Sequence, residues 1–476
     1  MSPVFLHGFG ERYDLPISLA LYLFAGGAVV VLSFVLVVLF AGNDLGEAAV
    51  DTPRWRAAWL DSVVNSKSPR AVGSMLGVLF LAAIVVTGLL GSPEPTKNPA
   101  EYLLWIYFWA GLVILSGLVG NLWTLFSPWP AIHWLLRRLP LPPGRELPEG
   151  FGVWPAVGGY LLFACLELTL GIANRPSVIA SATLLYVAIT IAGIVVYGRQ
   201  PWLSHCDPFT VLFEIVGRFA PVEIEEGGEG RLEVYLRPWG TGLLRDERPG
   251  WSWVMFVVLM LSTLAFDGLL ATSVAGNYIS ALEPLVAPLG SLATPLIRTV
   301  GLLLLTGIFA ATFVAVMRIV MWLGWPEPQP DGARRREARA LIAFALTLVP
   351  IALVYNAAHN YGYLVVQSQG LIPLLADPLG RGWNLLPTAG FEPSFLFAAP
   401  ATVWYVQVAL IVLGHVIAVY LAHLRAAERF RDGSRVLLSQ YPMLGLMVLY
   451  TMTSLWILAQ PITREVGLIL HFDIFL

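Results

Sequence analysis

Ten long apolar runs constrain the fold of this 476-residue sequence more than any other feature. Each run is long enough to cross about 30 Å of hydrocarbon as a helix. In lipid the backbone has no water to bond with, so such segments must satisfy their own hydrogen bonds as helices. The sequence therefore predicts an all-α integral membrane protein with about ten transmembrane helices. These helices are predicted at 15–41, 71–91, 101–126, 153–173, 177–197, 251–272, 293–323, 340–366, 398–421 and 438–460.

The distribution of basic residues predicts the orientation of the helices. Of the 28 Lys and Arg residues, 21 fall in the loops that follow odd-numbered helices, which the positive-inside rule places in the cytoplasm. The chain is therefore predicted to be a multi-pass protein of the cytoplasmic membrane with both termini external or periplasmic. A net charge of −3 and 57% hydrophobic residues argue against nucleic acid as a partner and make the lipid bilayer the main surroundings.

The loops are short, so residues 1–476 are predicted to form a single polytopic transmembrane domain. The cytoplasmic loop at 198–250 is predicted to hold an interfacial amphipathic helix, "DPFTVLFEIVGRFAP" from Asp207, and a β-hairpin, "VEIEEGGEGRLEVYL". A similar proline-capped segment, "SPWPAIHWLLRRLP" from Ser127, predicts a second interfacial helix. The outer loop at 367–397 is rich in Gly and Pro, and it either folds as a lid over an external vestibule or is an ordinary loop.

A polar stripe in the eighth predicted helix is the main candidate for a site. The stretch 355–369 reads "YNAAHNYGYLVVQSQ", and its polar residues at i, i+3, i+4, i+7 and i+11 share one helix face. Such a face is costly toward lipid, so it is predicted to face other helices or water. The stripe consists of Asn356, His359, Asn360, Tyr363 and Gln367.

Charged residues in other predicted helices lie at a similar depth. Glu167, Asp267 and Arg298 each fall in the outer half of a helix, as His359 does. A carboxylate inside a membrane helix costs roughly 2.5–3.5 kcal/mol on insertion scales, so a partner or a hydrated cavity is expected. Together these residues predict an outward-facing polar pocket. The alternative is structural, with Asp267 paired to Arg298 and the stripe making hydrogen bonds between helices.

The same pocket offers side chains of the types that bind a divalent metal. The candidate ligands are Asp267, His359 and Glu167, joined by His7 from the external N-terminal segment. No local spacing motif assembles them. The sequence contains no P-loop, GxSxG, HExxH or CxxC motif, and it has no nucleotide or iron–sulfur signature. A divalent metal is therefore the one candidate cofactor, and its presence stays open.

Six stretches spread over most of the chain carry a resemblance to a known family. They are "HGFGERYDLP" at 7–16, "FTVLFEIVGRFAP" at 209–221, "STLAFDGL" at 262–269, "YNAAHNYGYLVVQSQ" at 355–369, "DPLGRGWNLL" at 377–386 and "VQVALIVLGHVIAVYLAH" at 406–423. In these stretches the chain resembles a family of bacterial and archaeal polytopic membrane proteins often labelled fenitrothion hydrolase. The resemblance implies cleavage of an organophosphate triester, and it carries no catalytic residue over to this sequence.

Three functions are open from the sequence. The first is binding or transport of a small solute or metal ion through the outward-facing pocket, which is favoured because the metal-site signature is thin. The second is a membrane-bound, metal-dependent phosphotriester hydrolase, as the resemblance implies. The third is a non-catalytic membrane subunit of a larger complex with other membrane subunits. Polar residues that continue toward the inner side, with Asn121, Arg318 and His415 as candidates, would favour transport.

Overall fold

A computed structural model describes most of the chain, and its helices account for nearly all of the regular structure. The described residues are 18–41, 53–140, 144–226, 231–245, 250–325, 333–430 and 433–460. The first half contains α1 (Leu19–Ala41), α2 (Ala58–Asn65), α3 (Lys67–Leu90), α4 (Pro99–Glu101), a π-helix (Tyr102–Leu112), α5 (Val113–Leu118), α6 (Trp123–Phe126), α7 (Trp129–Leu136), α8 (Trp154–Leu168), α9 (Pro176–Tyr197), α10 (Arg199–His205) and α11 (Pro208–Gly217).

In the described part of the second half, the regular structure is helical, and the three strands lie before it in the chain. Its helices are α12 (Trp251–Leu270), α13 (Ser273–Val286), α14 (Ala293–Gly324), α15 (Ala333–Leu346), α16 (Val349–His359), α17 (Tyr361–Val365), α18 (Leu371–Leu374), α19 (Pro400–Arg429) and α20 (Gly433–Ala459). Short 3₁₀ helices occur at Pro95–Lys97, Thr241–Leu244, Ala287–Leu292 and Gln367–Gly370. The strands are β1 (Trp55–Arg56), β2 (Val222–Glu226) and β3 (Leu232–Leu236).

The predicted class, an all-α polytopic membrane protein, is confirmed. Nine helices in the described part of the chain are long and apolar enough to cross a membrane, and they coincide with nine of the predicted runs. The fourth run, 153–173, instead forms α8, which has 15 residues. That helix rises about 22 Å, less than the roughly 30 Å of a bilayer core. It ends at Leu168, where the Thr169 hydroxyl donates to the Cys165 carbonyl, 2.9 Å away.

The two ends of the bundle differ in what lies there. A three-stranded antiparallel sheet, in the order β1-β3-β2, marks the sheet end. Residues 367–397 mark the opposite, loop end. The third predicted membrane helix, which consists of α4, the π-helix and α5, connects the two ends. Its early residue Tyr102 lies beside Gly370 at the loop end. Gly120, just beyond its last turn, forms a β-bridge with Val222 at the sheet end. The predicted hairpin is present as β2 and β3, and β1 from the first loop adds a strand too short to leave a pattern in the sequence.

The helix that carries the polar stripe is the most enclosed of the candidate spans. In the most apolar 18-residue stretch of Glu337–His359, 94% of the residues are buried, against 22–67% in the other candidate spans. Within it, α16 contacts α5, α11, α12 and α19. Polar side chains on this helix therefore face neighbouring helices and the space between them rather than lipid.

The helix α11, expected at the membrane interface, lies inside the protein. Eight of its ten residues are buried, and it packs against α5, α8 and α16. Its N-cap residue Asp207 accepts hydrogen bonds from the Thr210 backbone N–H (3.1 Å) and the Tyr186 hydroxyl (2.7 Å). The helix is apolar nearly all round, and such a helix is typically buried in a protein core. In contrast, α7 exposes Trp134 and Leu135, as expected of an interfacial helix.

Candidate functional site

The predicted pocket residues meet at the loop end in a contact between Asp267 and His359. Asp267 lies in the last turn of α12, and His359 is the last residue of α16. His359 Nε2 lies 2.8 Å from Asp267 Oδ2, a distance typical of a charge-assisted hydrogen bond. The side chains of His359 and Asp267 keep 28% and 33% of their surface exposed. Neither side chain is therefore fully enclosed, even though both helices are packed among others.

The residues next to this pair explain how the two helices come so close. A Cβ atom at Gly268 would overlap the Tyr355 hydroxyl, so glycine at this position makes room for the tyrosine. The Tyr355 ring is nearly parallel to the His359 imidazole, with an interplanar angle of 8° and 6.3 Å between centroids. These residues are one helical turn apart on α16. Gly268 and Tyr355 thus shape the space in which His359 meets Asp267.

Further acidic residues surround the pair. Glu167, on α8, lies close enough to Asp267 to interact electrostatically, and it also approaches the indole of Trp109. Tyr363, on α17, is within electrostatic range of Asp267, Glu167 and Glu101. Glu101 was not among the predicted residues, and its only signal is a carboxylate at the outer end of an apolar run. We refer to Glu101, Glu167, Asp267, His359 and Tyr363 as the loop-end cluster.

The other residues of the predicted stripe have different surroundings. The Asn360 side-chain amide donates to Asn356 Oδ1, 2.7 Å away, and to the Asn356 carbonyl, 3.1 Å away. This bond lies within one helix turn, whereas the structural alternative expected the stripe to form hydrogen bonds between helices. Gln367 is exposed, beyond the end of α17. Of the five stripe residues, His359 and Tyr363 belong to the loop-end cluster.

The remaining candidates lie around the bundle at different depths. Arg298, on α14, is half-buried at the loop end, and the hydroxyl of its neighbour Thr299 donates to Thr169 Oγ1, 3.0 Å away. His415 is fully buried, with Nδ1 2.8 Å from its own helix carbonyl at Ile411. Two more candidates lie away from the cluster: Asn121 packs against Gly217 near the sheet end, and Arg318 is exposed on α14.

Two irregular helical segments, the interrupted run from α15 to α17 and the π-helix, meet at the loop-end cluster. A break at residues 347–348 separates α15 from α16, because Pro350 has no N–H to donate and its ring crowds the preceding turn. A second break at Asn360, with φ −89° and ψ 11°, separates α16 from α17. The π-helix packs against α17. Interrupted membrane helices and π-helical turns both occur preferentially at functional sites.

The outer loop is fastened beside the cluster by side-chain hydrogen bonds. Gln369 Nε2 donates to the Ser394 carbonyl (2.9 Å), and the Ser394 backbone N–H donates back to Gln369 Oε1 (2.8 Å). The Tyr361 hydroxyl donates to the Phe397 carbonyl, 3.3 Å away. Sequence reasoning missed Gln369, although it is the last residue of the stretch at 355–369. A role for this loop as a lid stays a prediction.

A defined turn shapes the first half of the same loop. The Asp377 carboxylate accepts hydrogen bonds from the backbone N–H groups of Arg381 (2.9 Å) and Gly382 (2.6 Å). These bonds stabilise the charged form and hold the pKa of Asp377 below its ordinary value of 3.8. Gly380 and Gly382 adopt positive φ angles of 67° and 78°, which favour glycine. The stretch "DPLGRG" therefore encodes a specific turn.

The described residues supply part of the predicted metal site. No group of three or more His, Cys, Asp and Glu side chains in the described part of the chain lies close enough to hold a metal ion. Asp267 and His359 provide two potential ligands, and Glu167 is not positioned to complete the set. His7 lies outside the described residues. Metal binding at this pocket stays a prediction.

Comparisons of the chain with protein-family models, curated proteins and solved structures gave no match. The assignment therefore depends on the fold and the site alone. They define a polytopic α-helical membrane protein that holds a partly exposed Asp–His pair, with additional carboxyl groups nearby, at one end of its helix bundle.

Proposed function

We propose that the protein binds a small solute carrying a positive charge or hydrogen-bond donors in the loop-end cluster, as a step in moving it across the membrane. The contact between Asp267 and His359 is the main support. Ionisable groups inside membrane helices are costly, and they commonly mark pathways for substrates, ions and protons. Both side chains remain accessible to a water-sized molecule, which a purely structural pair inside a packed bundle does not require.

The composition of the cluster favours a cationic solute over an anionic one. Glu101, Glu167 and Asp267 contribute three carboxyl groups, whereas His359 contributes one imidazole. A cation that displaces His359 from Asp267 takes over its role as the partner of the carboxylate. Because protonated His359 and the solute then compete for the same carboxylate, solute binding is linked to proton release. Proton exchange at this pair would thereby couple the solute to the proton gradient.

The two alternatives make different use of the same residues. A phosphotriester hydrolase, which the family resemblance implies, would use Asp267 and His359 as metal ligands and needs at least one more ligand from elsewhere. A non-catalytic subunit would use the cluster only for packing between helices. Metal-independent ligand binding at the pair supports solute binding, metal-dependent binding supports the hydrolase, and the absence of binding supports the subunit.

Thermal stabilisation by small ions tests the proposal directly. Detergent-solubilised protein is heated with chloride salts of methylammonium, choline or guanidinium, and with sodium acetate or methylphosphonate as anion controls. A ligand that binds only the folded state at 100 times its Kd stabilises it by about 2.7 kcal/mol. We expect at least one cation to raise the unfolding temperature of wild type and of the control Glu283→Gln, whose carboxylate is exposed on α13. Asp267→Asn should lose the response.

Two results would contradict the proposal. In one, none of the cations stabilises the wild-type protein. In the other, Asp267→Asn responds to the cation as strongly as the wild type does. Repeating the wild-type titration after treatment with a chelator identifies metal-dependent binding, which would support the hydrolase alternative instead.

A further inference from the structure

A separate apolar cavity opens on the side of the bundle formed by the second to fifth predicted helices. Its volume is about 480 Å³, within the roughly 300–1,000 Å³ of typical ligand pockets. Residues of α3, the π-helix, α6, α8, α9 and α11 form its wall. Aromatic side chains dominate the lining, including Phe80, Phe108, Trp123, Phe163 and Phe209.

The polar side chains in this wall are already bonded to the protein. The Tyr107 hydroxyl donates to the Ser368 carbonyl (3.0 Å), and the Thr183 hydroxyl donates to the Ile179 carbonyl (2.8 Å). Two others bond to neighbouring side chains, Tyr186 to Asp207 (2.7 Å) and Trp123 to Thr210 (3.1 Å). The cavity therefore offers an occupant dispersion contacts and little hydrogen bonding. An apolar cavity of this kind excludes water and accepts an apolar ligand.

The position of the cavity indicates where its occupant comes from. It lies among α3, the third membrane helix and α9, all of which are candidate membrane spans. Two of its lining residues, Leu76 and Tyr107, are 48% and 40% exposed, so the cavity opens on the outside of the helix bundle. In a bilayer this opening faces lipid chains. A chain that enters restores the packing contacts that an empty cavity lacks.

Basic residues lie close to the sheet-end rim of the cavity. His133, on α7, is within electrostatic range of Arg137 and Arg199. In the described structure, His133 Nδ1 is buried without a hydrogen-bond partner. Pro128 lines the cavity five residues before His133, and that separation corresponds to about 7.5 Å along a helix. Because His133 Nδ1 is enclosed, a phosphate at this position would gain its charge-assisted hydrogen bonds from the guanidinium groups of Arg137 and Arg199, while its acyl chain reaches the cavity.

We propose that the cavity binds one acyl chain of a membrane phospholipid, whose phosphate lies beside Arg137 and Arg199. This site is distinct from the loop-end cluster and does not depend on the function proposed for it. The occupant is a bilayer phospholipid rather than a free hydrocarbon, because the apolar cavity and the basic residues together match both parts of such a molecule.

Quenching of Trp123 by brominated lipid tests the proposal. Trp123 is only 6% exposed, and it stacks on Phe213 with 5.3 Å between centroids, so bulk lipid does not reach it. The protein is placed in nanodiscs of phosphatidylglycerol with plain or dibrominated acyl chains, and the fluorescence of Trp123→Phe is subtracted from that of wild type. We expect the difference, which reports Trp123, to fall by more than half in brominated nanodiscs.

A matched pair of substitutions controls for changes in packing. Ala182→Phe adds a ring inside the cavity, whereas Ala82→Phe adds the same ring at an exposed position on α3 outside the lining. We expect Ala182→Phe to reduce the quenching of Trp123 at least twofold and Ala82→Phe to leave it unchanged. The unfolding temperature and the quenching of the other tryptophans show whether each variant is folded.

Three outcomes would overturn the phospholipid site. The Trp123 signal could be equal in plain and brominated nanodiscs, or the two alanine variants could give equal quenching. Alternatively, a brominated free fatty acid could quench Trp123 while the brominated phospholipid does not. A double variant, Arg137→Gln/Arg199→Gln, tests the phosphate contact, and it should require several times more brominated phosphatidylglycerol for half-maximal quenching.

Discussion

His359 Nε2 lies 2.8 Å from Asp267 Oδ2 and thereby ties the end of α16 to the end of α12. The contact gives each ionisable side chain a partner of complementary chemistry within the membrane helices. Glu167 and Tyr363 lie close enough to Asp267 to interact with it electrostatically.

The pair should behave as one energetic unit. Asp267→Asn and His359→Gln each remove one partner, and each should lower the free energy of unfolding by about 1–3 kcal/mol because a partly buried polar group among membrane helices loses its bond. The double variant should lose less than the sum, with a coupling of about 0.5–3 kcal/mol. Chemical denaturation in detergent measures all three. Glu283→Gln combined with His359→Gln is the control, and its effects should add. Strict additivity for Asp267→Asn and His359→Gln would contradict direct contact.

The space beside the cluster should be hydrated and open to the outside. A Cβ atom at Gly362 or at Gly307 meets open space, but Gly362 is half-buried near the cluster and Gly307 is exposed on the middle of α14. Cysteine is introduced at each position after both native cysteines, Cys165 and Cys206, are replaced by alanine. A charged, membrane-impermeant methanethiosulfonate added outside intact cells should modify Gly362→Cys and spare Gly307→Cys, which lipid covers.

The labelling experiment also decides the orientation predicted from the basic residues. Modification of Gly362→Cys only from the cytoplasmic side, in inverted vesicles, would reverse the predicted topology. Equal modification of both cysteines would show that the reagent does not distinguish the pocket from the lipid-facing surface, and the hydrated pocket would be rejected.

The outer loop should restrict access to the cluster. Gln369→Ala removes both side-chain hydrogen bonds to Ser394 and should speed modification of Gly362→Cys severalfold. Gln367→Ala, two residues earlier and exposed, is the matched control and should leave the rate unchanged. If neither substitution changes the rate, the loop is not a lid.

The turn at Asp377 should depend on pH. Its pKa is depressed in the folded loop by the N–H groups of Arg381 and Gly382. The stabilisation is therefore complete above the ordinary carboxyl pKa of 3.8, and it is lost as the pH falls through the lower folded-state value. Hydrogen exchange at Arg381 and Gly382, corrected for intrinsic rates, should show protection at pH 6 that disappears in strong acid. Asp377→Ala should lose it already at pH 6, and unchanged protection in that variant would refute the turn's role.

The sheet end should depend on one buried arginine. The Arg237 guanidinium, with 3% of its side-chain surface exposed, pairs with Glu223 and donates to the carbonyls of Ala220 and Arg218, each 3.1 Å away. Arg237→Met leaves a carboxylate and carbonyls without this donor, and it should destabilise the sheet by about 3 kcal/mol. Arg54→Met removes a more exposed pair with Glu225 and should cost below about 1 kcal/mol. Hydrogen exchange of β2 and β3 measures the loss of stability in each variant. Similar losses in Arg237→Met and Arg54→Met would contradict the larger role of the buried arginine.

The apolar runs were sufficient to predict the class of fold because the bilayer leaves few alternatives. In lipid a long apolar segment must be a helix, so nine runs match nine candidate spans. The sequence pattern was not sufficient for α11, which was predicted at the membrane interface and lies inside the protein. A Pro-capped amphipathic pattern is similar at an interface and in a protein interior, and only the neighbours α5, α8 and α16 distinguish the two locations. The two-residue strand β1 carries no periodic signal at all.

For the site, the sequence predicted depth but not contact. Asp267 and His359 could be placed in the outer parts of two helices, because position along a span follows from the run itself. Their pairing depends on how the helices are rotated about their axes, which requires knowledge of Gly268 and Tyr355 packing across the interface. Asn356 and Asn360 show a different failure. The helix face that they share with His359 predicted that they line a pocket, but their side chains form a hydrogen bond with each other.

The π-helix has a consequence for communication between the apolar cavity and the loop-end cluster. Its residues Phe108 and Leu112 line the apolar cavity, while Trp109 approaches Glu167 of the cluster. On α8, likewise, Leu166 faces the cavity and Glu167 the cluster. The π-helix and α8 therefore form a wall shared by the apolar cavity and the loop-end cluster. If a lipid chain fills the cavity and a solute binds at the cluster, as proposed above, a change in bilayer composition would alter the solute affinity across this wall.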